Sequence, residues 1–315
     1  MRALVWLTWR QHRWVVLGTA AIALLAAYGL VTTEINNEFR GDTMSMTGFY
    51  ALIVQLVFGA FIGMFWGAPL LARELEERTY FVAWGQDVTP TKWLRGKVIV
   101  LGAIAAVLGG LVGLGDGLRG AQLTTWSTFE ASPFVQAGYA LVGLAIGVLT
   151  GLLTRHVLTA MAATLVFDTM FRLVIVFMAR DHYLPAHRAI ARWNSTVEVP
   201  NNALHTGGGF VGADLKPVDV PEQCLKFPTP HSCMRSSNTA VGTYVDYQPV
   251  ERAGLFRFIE FGVSVAIAAG LFAITFWLLR RGGGWKPTRS HRRIAPVEQE
   301  SAQSTPAAAA AQAEG

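Results

Sequence analysis

Charge is scarce in this chain. Asp, Glu, Lys and Arg make up 15% of its 315 residues, against about 25% in soluble domains. A surface that poor in charge excludes an ordinary water-soluble fold. Cysteine is scarcer still, with only Cys224 and Cys233. Two thiolates with His231 alone nearby fall short of the four ligands a structural zinc site takes. Nucleotide-binding signatures are missing as well. A P-loop needs Gly-x-x-x-x-Gly-Lys-Ser/Thr, but beside Gly96-Lys97 stand Thr91 for the first glycine and Val98 for the hydroxyl. There is no Gly-x-Ser-x-Gly elbow and no His-Glu-x-x-His. The pattern speaks against an intramembrane enzyme and against ATP hydrolysis by these residues; no cofactor or metal is expected in this chain.

What the chain has instead is six apolar runs, at 15–33, 49–71, 98–115, 134–153, 157–178 and 256–279. A helix rises about 1.5 Å per residue, so runs of about 20 residues cover the hydrocarbon thickness of a bilayer. Helices satisfy their own backbone groups, which lipid cannot do. The expectation is an all-α polytopic membrane protein: a six-span domain over 1–281, an insert at 179–255, and a disordered tail at 282–315. The net charge of +5 does not call for nucleic acid, because the basic residues sit beside the spans.

Those bases orient the chain. Arg2, Arg10 and Arg13 precede the first span, and Arg73, Arg78, Lys92, Arg95 and Lys97 lie between the second and third. Arg155 follows the fourth, and a cluster begins at Arg280. The short loops on the other side hold only Arg40 and Arg119. By the positive-inside rule both termini are cytoplasmic and the insert is extracellular, in a bacterial plasma membrane. No small-x-small cleavage site ends the first run before Glu34. Trp6, Trp9 and Trp14, mixed with Arg10, His12 and Arg13, point to a short interfacial helix before the first span, or to plain anchoring of its end.

Small residues recur at a spacing of four: Gly59, Gly63 and Gly67; Gly143, Gly147 and Gly151; Gly109 and Gly113; Gly262, Ala266 and Gly270. In lipid, helices associate through such stripes. Tight packing within the chain and contact with a partner chain both fit.

Between the second and third spans, Leu71, Leu75 and Val82 alternate with Arg73, Glu74, Glu76, Glu77 and Arg78. The pattern fits a helix over 73–82 inside a cytoplasmic segment, 72–97, with a charged outer face. A solvated charged turn is the alternative; the alternation of leucines and acids favours a docking surface. Thr89-Pro90 reads as an N-cap followed by proline at the first helical position.

These stretches carry a family resemblance. Trp9-Arg10-Gln11-His12-Arg13, Pro69-Leu70-Leu71-Ala72-Arg73-Glu74-Leu75-Glu76 and Ala83-Trp84…Trp93-Leu94 resemble actinobacterial permease subunits of ATP-binding-cassette (ABC) transporters of the type-2 superfamily. The resemblance implies a membrane-spanning permease facing a second copy or a paralogue. It implies two ABC ATPase subunits per complex, with ATP and Mg on those partners, and export rather than import. Arg73, Glu74, Glu76, Glu77 and Arg78 would then couple to the ATPase.

Asp168 and Arg172 stand four apart inside the fifth run. Lone charges there cost about 2.5–3.5 kcal/mol, so the two are expected to pair on one helix face toward the bundle. A structural pair and a gate or substrate contact both fit, as does the proton site of a secondary transporter, the rival reading. Gln55 and Gln136 are weaker candidates of the same kind. Cys224 and Cys233, on the expected outer side, are read as a disulfide. The cargo is unidentified; a glycine-lined, greasy bundle suits lipophilic or amphipathic molecules.

Overall fold

The computed structural model describes residues 2–40, 46–77, 89–117, 126, 129–227 and 230–281. Six helices among them are long and apolar enough to cross a membrane: His12–Gly29, Ile53–Glu76, Pro90–Leu114, Pro133–Thr154, Val157–His182 and Val250–Arg280. They are spans one to six below. All six expected runs fall on them, and the protein is a multi-pass membrane protein.

Span four is the axis of the bundle. Val135, Tyr139, Ala140, Leu144, Ala145 and Val148 are all buried along it, and spans two, three, five and six pack around it. Pro133 opens it at a first-turn position where a missing N–H leaves nothing unsatisfied. Arg155 closes it in the left-handed region, at φ 59°.

The glycine stripes of spans two and four face each other. A Cβ added to Gly143 would sit 2.0 Å from the Gly59 carbonyl oxygen, and one on Gly147 2.2 Å from that of Gly63. At Gly151 it would lie 2.5 Å from the Ala68 oxygen, and at Gly67 2.6 Å from the Leu144 oxygen. No side chain of any size fits there, so the backbones touch. Gly109 and Gly113 bring span three against the start of span four in the same manner. Span two also contains a π turn, Gly63–Gly67, within this contact. Pro69, which supplies no N–H, follows it in helix Ala68–Glu76, where the α-helical ladder is already interrupted. Side-chain bonds add to the packing: Trp66 Nε1 donates to Thr19 at 3.1 Å, and Thr150 and Thr164 share a 2.8 Å bond between spans four and five.

Several expectations are corrected. The stripe on span six does not join this packing: nothing lies within 4 Å of a Cβ built at Gly262 or Gly270, and Ala266 is exposed. Ser264, Ala268 and Thr275 turn inward instead. The N-terminal segment is no separate interfacial element, because Arg2–Arg40 is one helix. The helix expected over 73–82 ends at Glu76, with its C-cap at Glu77; Arg78 and 79–82 lie outside the described residues, as does the tail 282–315.

The chain is also not all-α. Within the insert, β1 (His187–Arg192), β2 (Leu204–Val211), β3 (Pro217–Val218) and β4 (Gly242–Gln248) form an antiparallel sheet in the order β1-β4-β2-β3. Gly207, Gly208 and Gly209 sit in β2 opposite β4, and a bulge separates His205 from Gly207. Glycine in a strand weakens the usual alternation of apolar and polar residues, which hid this sheet in the sequence. Short helices Glu222–Leu225 and Pro230–Ser236 are joined by the Cys224–Cys233 disulfide, with Cα atoms 5.4 Å apart. They pack with Trp193, Phe210 and Met234 in a small core.

Candidate functional site

The two ends of the bundle concentrate the polar chemistry. At the end where spans two and three meet, Thr89 caps span three as expected, its Oγ1 accepting the Lys92 N–H at 3.4 Å. Lys97 is almost wholly buried, with Nζ 4.0 Å over the Trp93 ring and 3.7 Å from Glu74. Glu76 accepts the Val157 N–H at 2.9 Å and so caps span five, where the helix dipole favours an acid. Glu77 accepts from Arg73 Nε at 2.8 Å. Two of these three acids make contacts between spans: Glu74 ties the tip of span two to span three, and Glu76 ties it to span five. Beside them a cavity of about 580 Å³ is lined by His12, Phe65, Arg73, Glu74, Glu77 and Lys97.

The opposite end, which carries the insert, holds a buried charge network. Glu260 of span six is fully buried and accepts from Arg180 Nε at 3.0 Å and from Arg180 Nη2 at 2.9 Å. It also accepts from the Tyr139 hydroxyl. Glu130, in a 3-10 turn before span four, bonds Arg180 and stands 3.1 Å from Arg172 Nη2. The guanidinium of Arg172 lies 3.8 Å over the Tyr139 ring, and that of Arg180 lies 4.3 Å over Phe129. Two acids and two arginines neutralise one another where a lone charge would be expensive.

Asp168 and Arg172 are neighbours as expected, but the salt bridge of Arg172 is made elsewhere. Both are buried on one face of span five, but the ion pair of Arg172 goes to Glu130. The turn bearing Glu130 folds back over span five, a contact that spacing along one helix does not reveal. Asp168 and Arg172 instead share a cavity of about 410 Å³ between spans two and five, with Leu56, Val57, Leu165 and Phe177 among its walls. Among the described residues, Arg172 Nε and Nη1 have no hydrogen-bond partner. Gln55 donates to the Val112 carbonyl at 3.3 Å and Gln136 to that of Glu130 at 2.8 Å, each joining neighbouring segments.

Sequence reasoning passed over Glu260, Glu130, Tyr139 and Arg180. The signal was present for Glu260: a single carboxylate inside the run 256–279, with Arg257 three residues before it.

Six apolar helices, with spans two, three and four in close contact through their glycines, form a membrane bundle whose polar chemistry gathers at its ends. The chain matches the family model described as ABC-2 membrane transporter related over residues 4–180. It belongs to that family and is an ABC-2-type permease, which implies an ABC ATPase partner. No curated protein and no solved structure matches it.

Proposed function

We propose that this chain is the membrane-spanning half of an ATP-driven exporter, energised by two copies of a separate ABC ATPase and working with a second permease copy or paralogue. The observation that carries the reading is the tip of span two. Glu74 holds Lys97 and Glu76 holds Val157, so a push on that tip displaces spans two, three and five together. The tip lies next to the basic residues Arg73, Lys97 and Arg155, which puts it on the cytoplasmic side by the positive-inside rule. The insert, with its disulfide, then lies outside. Glu130, Arg180 and Glu260 hold spans four, five and six together at that outer end, and alternating access has to part them. The cavity at Asp168 and Arg172, apolar except for those two groups and Thr169, suits an amphipathic cargo.

The test is co-purification with a candidate ABC ATPase subunit, followed by vanadate-sensitive hydrolysis and transport in proteoliposomes. The Glu74→Gln/Glu76→Gln variant is expected to keep the ATPase bound while transport per ATP falls about tenfold, the factor that 1.4 kcal/mol represents. Transport driven by a pH gradient with no ATPase present would overturn the reading. Unchanged coupling in the double variant would remove the tip of span two as the link.

A further inference from the structure

Spans three and six part at the basic end. Span six leans on span four, and an open groove of about 840 Å³ remains between it and span three. The walls of the groove are apolar and aromatic: Val98 and Ile99 on one side, Phe272, Phe276 and Trp277 on the other. Its rim carries Lys92, Arg95 and Arg280, with the Thr89 and Thr91 hydroxyls 3.4 Å apart beside them. Arg281 stacks 4.0 Å over the Trp277 ring and adds a fourth cation next to it. No acid lines this groove among the described residues. The contrast with the cavity at the tip of span two is direct, since there Glu74 and Glu77 stand against Arg73 and Lys97.

Bases beside a span attract anionic headgroups, and basic pockets between spans at the membrane surface hold them. Tryptophan settles at the same depth. Below the rim, the groove continues along residues that in a bilayer face hydrocarbon. A free inorganic anion would use the cations and leave Phe272 and Phe276 uncovered, whereas a lipid uses both. We propose that this groove binds an anionic glycerophospholipid of the adjoining leaflet, phosphate at Lys92, Arg95 and Arg280 and acyl chains along Ile99, Phe272 and Phe276. The site rests on the membrane reading alone and stands whether or not the protein exports anything.

The experiment uses the full chain, delipidated in detergent, and measures binding of phosphatidylglycerol and phosphatidylcholine by native mass spectrometry. Phosphatidylglycerol is expected to bind in preference. Lys92→Gln/Arg95→Gln/Arg280→Gln should weaken it about a hundredfold, about fivefold per cation. Ala273→Trp, which fills the groove and keeps every charge, should weaken it as well. Arg10→Gln/Arg13→Gln/Arg155→Gln, which removes three exposed cations elsewhere, should leave it unchanged, and inorganic phosphate should not compete. A photoactivatable phosphatidylglycerol on the unaltered chain should label peptides of spans three and six, a readout independent of how the variants fold. Equal binding of phosphatidylcholine, equal loss in the control variant, competition by phosphate, or labelling confined to other spans would overturn the proposal.

Discussion

At the insert end of the bundle, Glu260 is sealed from solvent and bound by Arg180 and Tyr139, while Glu130 holds Arg172 and Arg180. At the basic end, Glu74 meets Lys97 at 3.7 Å, and Glu76 and Glu77 are half open to solvent. Both ends pair their charges, but the first does so around a fully buried acid, whereas at the second only Lys97 is buried and the acids Glu76 and Glu77 remain partly open to solvent. Buried pairs are costly to break because the survivor stays uncompensated, whereas exposed pairs contribute about 0–1 kcal/mol. The insert end is therefore the more tightly held of the two, and the proposed coupling through the tip of span two asks the other end to move.

The contrast breaks first at Glu260. Glu260→Gln leaves Arg180 short of a counter-charge and is expected to cost about 3–5 kcal/mol, read as a large drop in melting temperature and folded yield in detergent. If stability is unchanged, the network locks nothing. The glycine contact sharpens the comparison next. Gly143→Ala would drive a Cβ into the Gly59 carbonyl and should cost about 1–3 kcal/mol. Gly262→Ala, where nothing lies within 4 Å, should be neutral or slightly stabilising by thermal unfolding.

The smallest effect is expected on the insert. The hydrogen bonds from Arg188, at 2.7 and 2.8 Å, hold the Asp246 carboxyl below the usual carboxylate range. Its stabilisation is present above the unfolded value of about 3.9 and is lost as pH falls through the lower folded value. Arg188→Gln should therefore weaken the insert slightly at neutral pH, and its difference from the unaltered chain should vanish in strong acid. Limited proteolysis of the insert across pH checks this. A difference that grows with acid would contradict it.

Much of the bundle is legible in the order of residues. Apolar runs declare spans because lipid imposes length and backbone satisfaction together, and the glycine spacing of spans two and four declares a contact face. The β-sheet is not legible, since Gly207, Gly208 and Gly209 erase strand periodicity. The extent of the helix at the tip of span two is also misjudged from its pattern. Leucines and acids recur at nearly the same spacing whether a helix runs along the surface or, as Ala68–Glu76 does, ends a span.

Composition and the length of the apolar runs alone determined that this is a multi-pass membrane protein with six candidate spans among its described residues, because those properties are local and follow from hydration and helix geometry. Only the tertiary structure decided which charge meets which. Arg172 took Glu130 as its salt-bridge partner, Glu76 went to Val157, and Gly262 faced outward. Pairings across helices depend on rotation, tilt and the path of the loops, and no single segment encodes these by itself.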